Sequence, residues 1–200
     1  MTSTYSKETI NDVINFHGHS CPGLCIGIRA AELARREIGD ATAAKMICVT
    51  ETDMCGVDAI QYLSGCTFGK GNLIHKDYGK MAFTFFSRKT GQGFRCLLKS
   101  EARGNMAKEV ATLHTKIASG QASEADKARC DELRLQMQER LMQSELSDLF
   151  DIMAPNESIP TGTRILESLS CETCGEATME SRTRRFAGKT LCKPCFYQVE

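Results

Sequence analysis

Apolar residues recur at helical spacing from the start of the chain, with Ile10, Ile14 and then His17 on one face. Ser6 is a suitable cap and Gly18 a suitable stop, so a first helix is expected between them. A tight connection, His17-Gly18-His19-Ser20-Cys21-Pro22-Gly23, follows. Pro22 fits the first position of a second helix, which runs to about Glu37 and stops near Gly39. Gly27, Ala31, Ala34 and Ile38 give that helix a small-residue face suited to close packing on a sheet. Met46 to Thr50 predicts a buried strand, and Gly56 to Ser64 a short helix ending at Gly65. A loop through Cys66 and Asn72 then leads into three strands, at Leu73 to Lys76, Met81 to Ser87 and Phe94 to Lys99. Asp77-Tyr78-Gly79-Lys80 and Thr90-Gly91-Gln92-Gly93 supply turns between them.

Two longer stripes come next. Met106, Val110, Leu113 and Ile117 form one, and Cys130, Leu133, Met137 and Leu141 the other. Ser119-Gly120 separates them, and Ser123 with Asp126 restarts the helix as a near capping box. The second stretch, read from Glu124 to Phe150, would be about 40 Å long at 1.5 Å per residue. That exceeds what a small sheet covers, so a homodimer through these helices is expected, the alternative being a hairpin lying on its own domain. Pro155 and Pro160 mark a linker. The order of elements is that of an α+β domain with a mixed β-sheet flanked by helices and a long helical hairpin.

Charge excludes more than it suggests. Lysine and arginine total 25, as do aspartate and glutamate, so no global field points to nucleic acid or a membrane surface. No apolar run approaches the roughly 20 residues of a membrane helix, and residues 1–7 lack a secretory pattern. A cytoplasmic protein is expected. Its 11 cysteines then point to ligand or redox roles rather than to disulfides, which an odd count also disfavours. Cys48 and Cys96 in strands and Cys130 in a helix are expected to be small buried hydrophobes.

The clearest chemistry is C-terminal. Cys171-Glu172-Thr173-Cys174 and Cys192-Lys193-Pro194-Cys195 are two C-x-x-C pairs at four-cysteine zinc spacing. Each pair aims two thiolates at one ion, and tetrahedral zinc takes two such pairs. Ala187-Gly188 reads as a hairpin turn and Pro194 as the start of a short helix. Knuckle, hairpin and helix together suggest a small C-terminal treble-clef zinc finger. So short a segment cannot bury a core of its own, and structural zinc would supply its folding energy. Arg182, Arg184, Arg185, Lys189 and Lys193 are offset by Glu172, Glu176, Glu180 and Glu200, so nucleic-acid contact is not expected. The organisation read from the chain is a metal-binding domain at 1–153, a linker at 154–167 and the finger at 168–200.

A second candidate site is N-terminal, where His17, His19 and Cys21 lie close together. Cys21 precedes Pro22 at a helix start, where backbone N–H groups and the helix dipole favour a thiolate. Cys55 and Cys66 flank the Gly56 to Ser64 helix, and element ends are where sites are usually built. The plainer alternative is that His17 completes an apolar helix face as a core histidine.

Phe16-His-Gly-His-Ser-Cys-Pro-Gly-Leu24, Ile26-Gly-Ile-Arg-Ala-Ala31, Cys55-Gly-Val-Asp-Ala-Ile-Gln61, Gly65-Cys-Thr-Phe-Gly-Lys-Gly-Asn-Leu73 and Asp77-Tyr-Gly-Lys-Met-Ala-Phe83 occur in order. This set resembles the FmdE family, named for a component of formylmethanofuran dehydrogenase. The resemblance covers most of residues 9–150. It implies a thioredoxin-like core with a five-stranded mixed sheet, and a core site that holds zinc in some members. It also implies an anaerobic redox setting, and a C-terminal treble-clef finger as some members have. His17, His19, Cys21, Cys55 and Cys66 are carried over as candidate ligands of a second metal, zinc or another transition metal, with Cys21, His19 and Cys66 foremost. One tetrahedral ion cannot use all five.

The function implied is an accessory metalloprotein supporting a molybdenum- or tungsten-dependent one-carbon redox enzyme as its partner. Two alternatives stand beside it. One is a small metal-dependent enzyme with Cys21 reactive and Asp58 and Lys70 as acid–base and anion-binding groups. Lys70 is not part of a phosphate loop, since the G-x-x-x-x-G-K-[ST] order is absent. The other is a regulatory module whose finger contacts nucleic acid.

Overall fold

The computed structural model describes residues 3–39, 46–161 and 166–200. The chain divides into two compact units, Met1–Pro160 and Thr161–Glu200. In the first, α1 (Lys7–His17) begins at Ser6, whose hydroxyl accepts from the Thr9 N–H, and ends at Gly18 with φ +94°. Only glycine adopts that left-handed stop cheaply. The next helix, α2 (Pro22–Ile38), is the axis of the unit. Every residue from Leu24 to Ala34 is buried, Arg29 and Glu32 included. Those two charges form a 2.5 Å pair, and Glu32 also accepts from the Thr4 N–H.

The sheet is built from β1 (Met46–Thr50), β2 (Leu73–His75), β3 (Ala82–Ser87) and β4 (Gly93–Leu98), with α3 (Gly56–Ser64) between the first two. After them come α4 (Met106–Ala118), α5 (Glu124–Gln143), the single turn α6 (Leu146–Leu149) and β5 (Phe150–Met153). Spatial order is β2-β1-β3-β4-β5. The β1–β2 pair is parallel and the remaining pairs are antiparallel, so the sheet is mixed. One face presents Cys48, Phe83, Phe85, Phe94 and Cys96 to a core shared with Ala30, Leu33 and Ala34 of α2. The other presents Ile47, Val49 and Phe86, with Ile159 packed on them. Cys48, Cys96 and Cys130 are buried thiols among apolar neighbours.

Three expectations need correction. The helix beginning at Glu124 ends at Gln143, not Phe150, and Ser144 is already extended. At 20 residues it is about 30 Å long. The buried Arg29 donates to the Ser144 carbonyl at 2.6 Å, giving a freed helix-end acceptor a partner. Phe150 then starts β5, paired in register with Leu98 on β4. Helical periodicity through Leu146 and Leu149 hides this break. The length that favoured a dimer is therefore absent, and Leu133, Met137 and Leu141 pack within their own chain. Secondly, Gly27 of the small-residue face meets Gly56 of α3, a helix rather than the sheet. Thirdly, the early part of the expected linker is attached to the first unit. Lys76 pairs with Glu157 at 2.6 Å, and Ile159 packs on the sheet; residues 162–165 of that linker lie outside the described residues.

The second unit contains two hairpins and a turn of helix. The strands β6 (Ser168–Ser170) and β7 (Ala177–Met179) pair around the first C-x-x-C, and β8 (Thr183–Phe186) pairs with β9 (Lys189–Cys192). The turn residues Ala187 and Gly188 both have positive φ, at 48° and 83°, which suits the twist of a two-residue hairpin. The terminal helix, α7 (Lys193–Tyr197), has proline in its first turn.

Candidate metal centres

In the second unit, ligand atoms of Cys171, Cys174, Cys192 and Cys195 lie within 4.8 Å of one another. Gly175, at φ +76°, turns the chain so that its N–H bonds the Cys171 carbonyl at 2.8 Å. Backbone N–H groups of Cys174, Cys192 and Thr173 pull the Cys171 thiol down to about 6. The thiol of Cys195, facing the Cys192 sulfur and its neighbours, is pushed up to about 12. Four sulfurs this close cannot all ionise without a cation between them. Their convergence fits zinc, and the unit has little else to fold around. Its buried cluster is Cys171, Leu191, Cys192 and Cys195, with Phe196 against it.

The first unit carries a different set. Ligand atoms of His17, His19, Cys21 and Cys55 also lie within 4.8 Å of one another. His17 closes α1, His19 and Cys21 belong to the connection into α2, and Cys55 precedes α3. What joins them is backbone contact between helices. A Cβ built on Gly27 would overlap the backbone of Gly56, and one on Gly56 would stand 2.9 Å from the Gly23 carbonyl oxygen. Without side chains at these crossings, the starts of α2 and α3 touch, and Cys21 meets Cys55.

The four side chains differ in their surroundings. The Cys21 Sγ accepts from the Leu24 N–H at 3.3 Å, which fixes the side chain at the start of α2. Burial, then the hydrogen bond and charge of Cys21, push the Cys55 thiol up, as expected of paired thiols without a cation. The His17 Nδ1 lies 2.7 Å from Asp58 Oδ2, while its Nε2 is buried with no hydrogen-bond partner among the described residues. An imidazole held by a carboxylate on one nitrogen and bare on the other is the usual form of a metal-ligating histidine. Gln61 steadies Asp58 through a 3.3 Å bond to Oδ1. His19 is exposed, its ring 4.5 Å from that of His17. Two imidazoles and two thiols fit zinc or a similar ion.

Cys66 is not part of this group, against expectation. It is fully buried in the main core, and its Sγ is 3.5 Å from the Met46 carbonyl. Nine residues of α3 separate it from Cys55, about 14 Å of helix at 1.5 Å per residue. Lys70 sits at that same far end, donating to the Gly65 carbonyl at 3.1 Å, so it cannot act with Asp58. Asp58 does belong to the site, as the support of His17. A cleft of about 390 Å³ opens beside the cluster, lined by His19, Cys21 and Cys55 together with Arg103, His114 and Arg134. Sequence reading passed over those three, since nothing in their local spacing ties them to residues 48 or more positions earlier.

A family model described as "FmdE, Molybdenum formylmethanofuran dehydrogenase operon" matches residues 16–151, more than half of the chain. The chain belongs to the FmdE family. The FmdE span contains all four residues of the core cluster, both crossing glycines and the hairpin, and ends inside β5. Residues 164–197 match the prokaryotic dksA/traR C4-type zinc finger, so the second unit is a zinc finger. A protein of Archaeoglobus fulgidus named "Probable S-adenosyl-L-methionine-binding protein" is 32% identical over 191 residues, or 90% of this chain. The chain spans 50% of that relative's length. A tungsten formylmethanofuran dehydrogenase FmdE-like protein from Syntrophus aciditrophicus shares the fold. Its TM-score is 0.62 at 24% identity, covering 98% of this chain and 97% of that one. No helix among the described residues is long and apolar enough to cross a membrane.

Proposed function

We propose that this FmdE-family chain binds two ions, one in the finger and one at His17, His19, Cys21 and Cys55. On this reading it serves a molybdenum- or tungsten-dependent one-carbon oxidoreductase as an accessory protein in an anaerobic cytoplasm. The observation that carries the core ion is the bare, buried Nε2 of His17, held through Nδ1 by Asp58, in a residue whose ligand atom lies within 4.8 Å of those of His19, Cys21 and Cys55. The ion, when bound, supplies Lewis acidity at the floor of the cleft. The protein's own groups orient it: Asp58 fixes His17 through Nδ1, and the Leu24 N–H at the α2 start positions the Cys21 sulfur. Thioredoxin-like describes the first unit on this reading, and treble-clef the second.

The test is metal content in full-length protein purified without oxygen. Two equivalents are expected per chain, falling to one in the Cys21→Ser/Cys55→Ser variant. An unchanged count in that variant would sink the core site. The accessory role is tested separately, by purifying the chain from its native host and assaying co-eluting molybdenum or tungsten.

A second reading, a small metal-dependent enzyme, is favoured by the exposure of His19 beside the cleft. A weakly held fourth ligand could yield its position to water or substrate. Turnover by the purified chain alone would support it. The Archaeoglobus relative's name suggests S-adenosyl-L-methionine as a ligand to titrate in the same experiments. The homodimer is retained on the strength of Leu135, 61% exposed on α5, and light scattering tests it.

A further inference from the structure

We infer that the cleft beside the core cluster binds a small organic carboxylate, its anionic end held by Arg103 and Arg134 and its other end turned toward the ion. What that far end meets rests on the core-metal reading; capture of the carboxylate by the arginines does not.

Charge balance is the first argument. The buried arginines of this unit are matched: Arg29 with Glu32, and Arg95 with both carboxylate oxygens of Glu51. Arg103, which ends the short turn Ser100–Arg103, and Arg134 on α5 have no hydrogen-bond or ion-pair partner for their guanidinium groups among the described residues. Burial lowers the Arg103 pKa with no carboxylate opposing it, yet an arginine stays charged. No aspartate or glutamate lines the cleft among the described residues. The cluster does not supply the missing anion either. A divalent ion with two thiolates and two neutral imidazoles is formally neutral, so two cations face a neutral centre.

Shape and polarity narrow the class. The cleft is also lined by Met54, Met81, Val110 and Met137, apolar surface that suits a carbon skeleton better than a hydrated inorganic anion. A volume of about 390 Å³ is at the small end for ligand pockets, which implies a compact molecule. Guanidinium matches carboxylate through paired N–H donors, which gives orientation as well as attraction.

Calorimetric titration of the zinc-loaded full-length chain with butyrate, butanol and inorganic phosphate tests this, with metal content measured on the same samples. Butyrate should bind at least ten-fold more tightly than butanol or phosphate. Arg103→Gln/Arg134→Gln should weaken butyrate by roughly ten- to hundred-fold, with the circular dichroism and metal count unchanged. Arg103→Lys, which keeps charge but not the fork, should fall between. Phosphate binding as well as butyrate, or butyrate binding unaffected by the double variant, would overturn the inference. A single metal equivalent with arginine-dependent butyrate binding intact would instead remove the core-metal reading and leave the carboxylate site standing.

Discussion

The two four-residue clusters bring potential ligand atoms within 4.8 Å of one another by opposite routes. In the finger, three of the four cysteines from a 25-residue stretch make up most of the buried cluster, with Leu191 the fourth member, so ion and fold are closely tied. In the core, the four side chains sit at the ends of three helices, and only Cys21 and Cys55 join a small buried cluster with Leu24 and Ile28, while the main core of α2 and the phenylalanines of β3 lies apart from them. A cluster that is the core is expected to be indispensable. A cluster hung on an existing core can be tuned or left empty, and can face a cleft.

The contrast breaks first at the finger. Cys171→Ser/Cys174→Ser should unfold the second unit outright, since structural zinc contributes about 10–16 kcal/mol to such modules. Limited proteolysis should then remove residues beyond about 160 while the first unit stays resistant. A protected finger without metal would erase the distinction.

The first unit should answer to its own buried charges instead. Arg95→Ala leaves Glu51 buried and unpaired and should cost about 3–5 kcal/mol in urea unfolding, with both metal sites still filled. The guanidinium of Arg95 holds the Glu51 carboxyl below its usual 4.5. A depressed acid stabilises the fold fully above that value and loses its contribution as pH falls through its folded pKa. The acid-side loss of stability should therefore begin below about pH 4.5 and be smaller in Arg95→Ala. Unfolding at several pH values checks the sign.

Smaller effects separate assembling the core cluster from tuning it. Gly27→Ala forces α3 from α2 against rigid backbone, at about 1–3 kcal/mol. It should also lower core metal occupancy, because the same crossing brings Cys21 to Cys55. Asp58→Asn removes only the carboxylate behind His17. Core metal affinity should drop about 10–100-fold, with the finger's unchanged in competition against a chelator. Equal losses at both sites would mean that the clusters are not independent.

Local signals carried much of this protein. The C-x-x-C pairs needed only a knuckle turn, a hairpin at Ala187-Gly188 and a short helix, all encoded within a few residues of each ligand. Ser6, Pro22, Gly65 and the Ser123–Asp126 capping box likewise set helix ends through bonds three or four residues long. The core cluster was half legible. His17, His19 and Cys21 share one tight connection, but choosing Cys55 over Cys66 depended on which end of α3 the Gly27–Gly56 crossing brought to α2. The break after Gln143 depended on Arg29, more than a hundred residues earlier. Arg103, before the hairpin, and Arg134, on α5, line one cleft with His19, Cys21 and Cys55 only in the folded chain. Sequence determines what lies within a few bonds of itself, because those geometries are set by dihedral and hydrogen-bond preferences. Which distant ends meet is decided by the packing of whole helices, where one absent Cβ outweighs any motif.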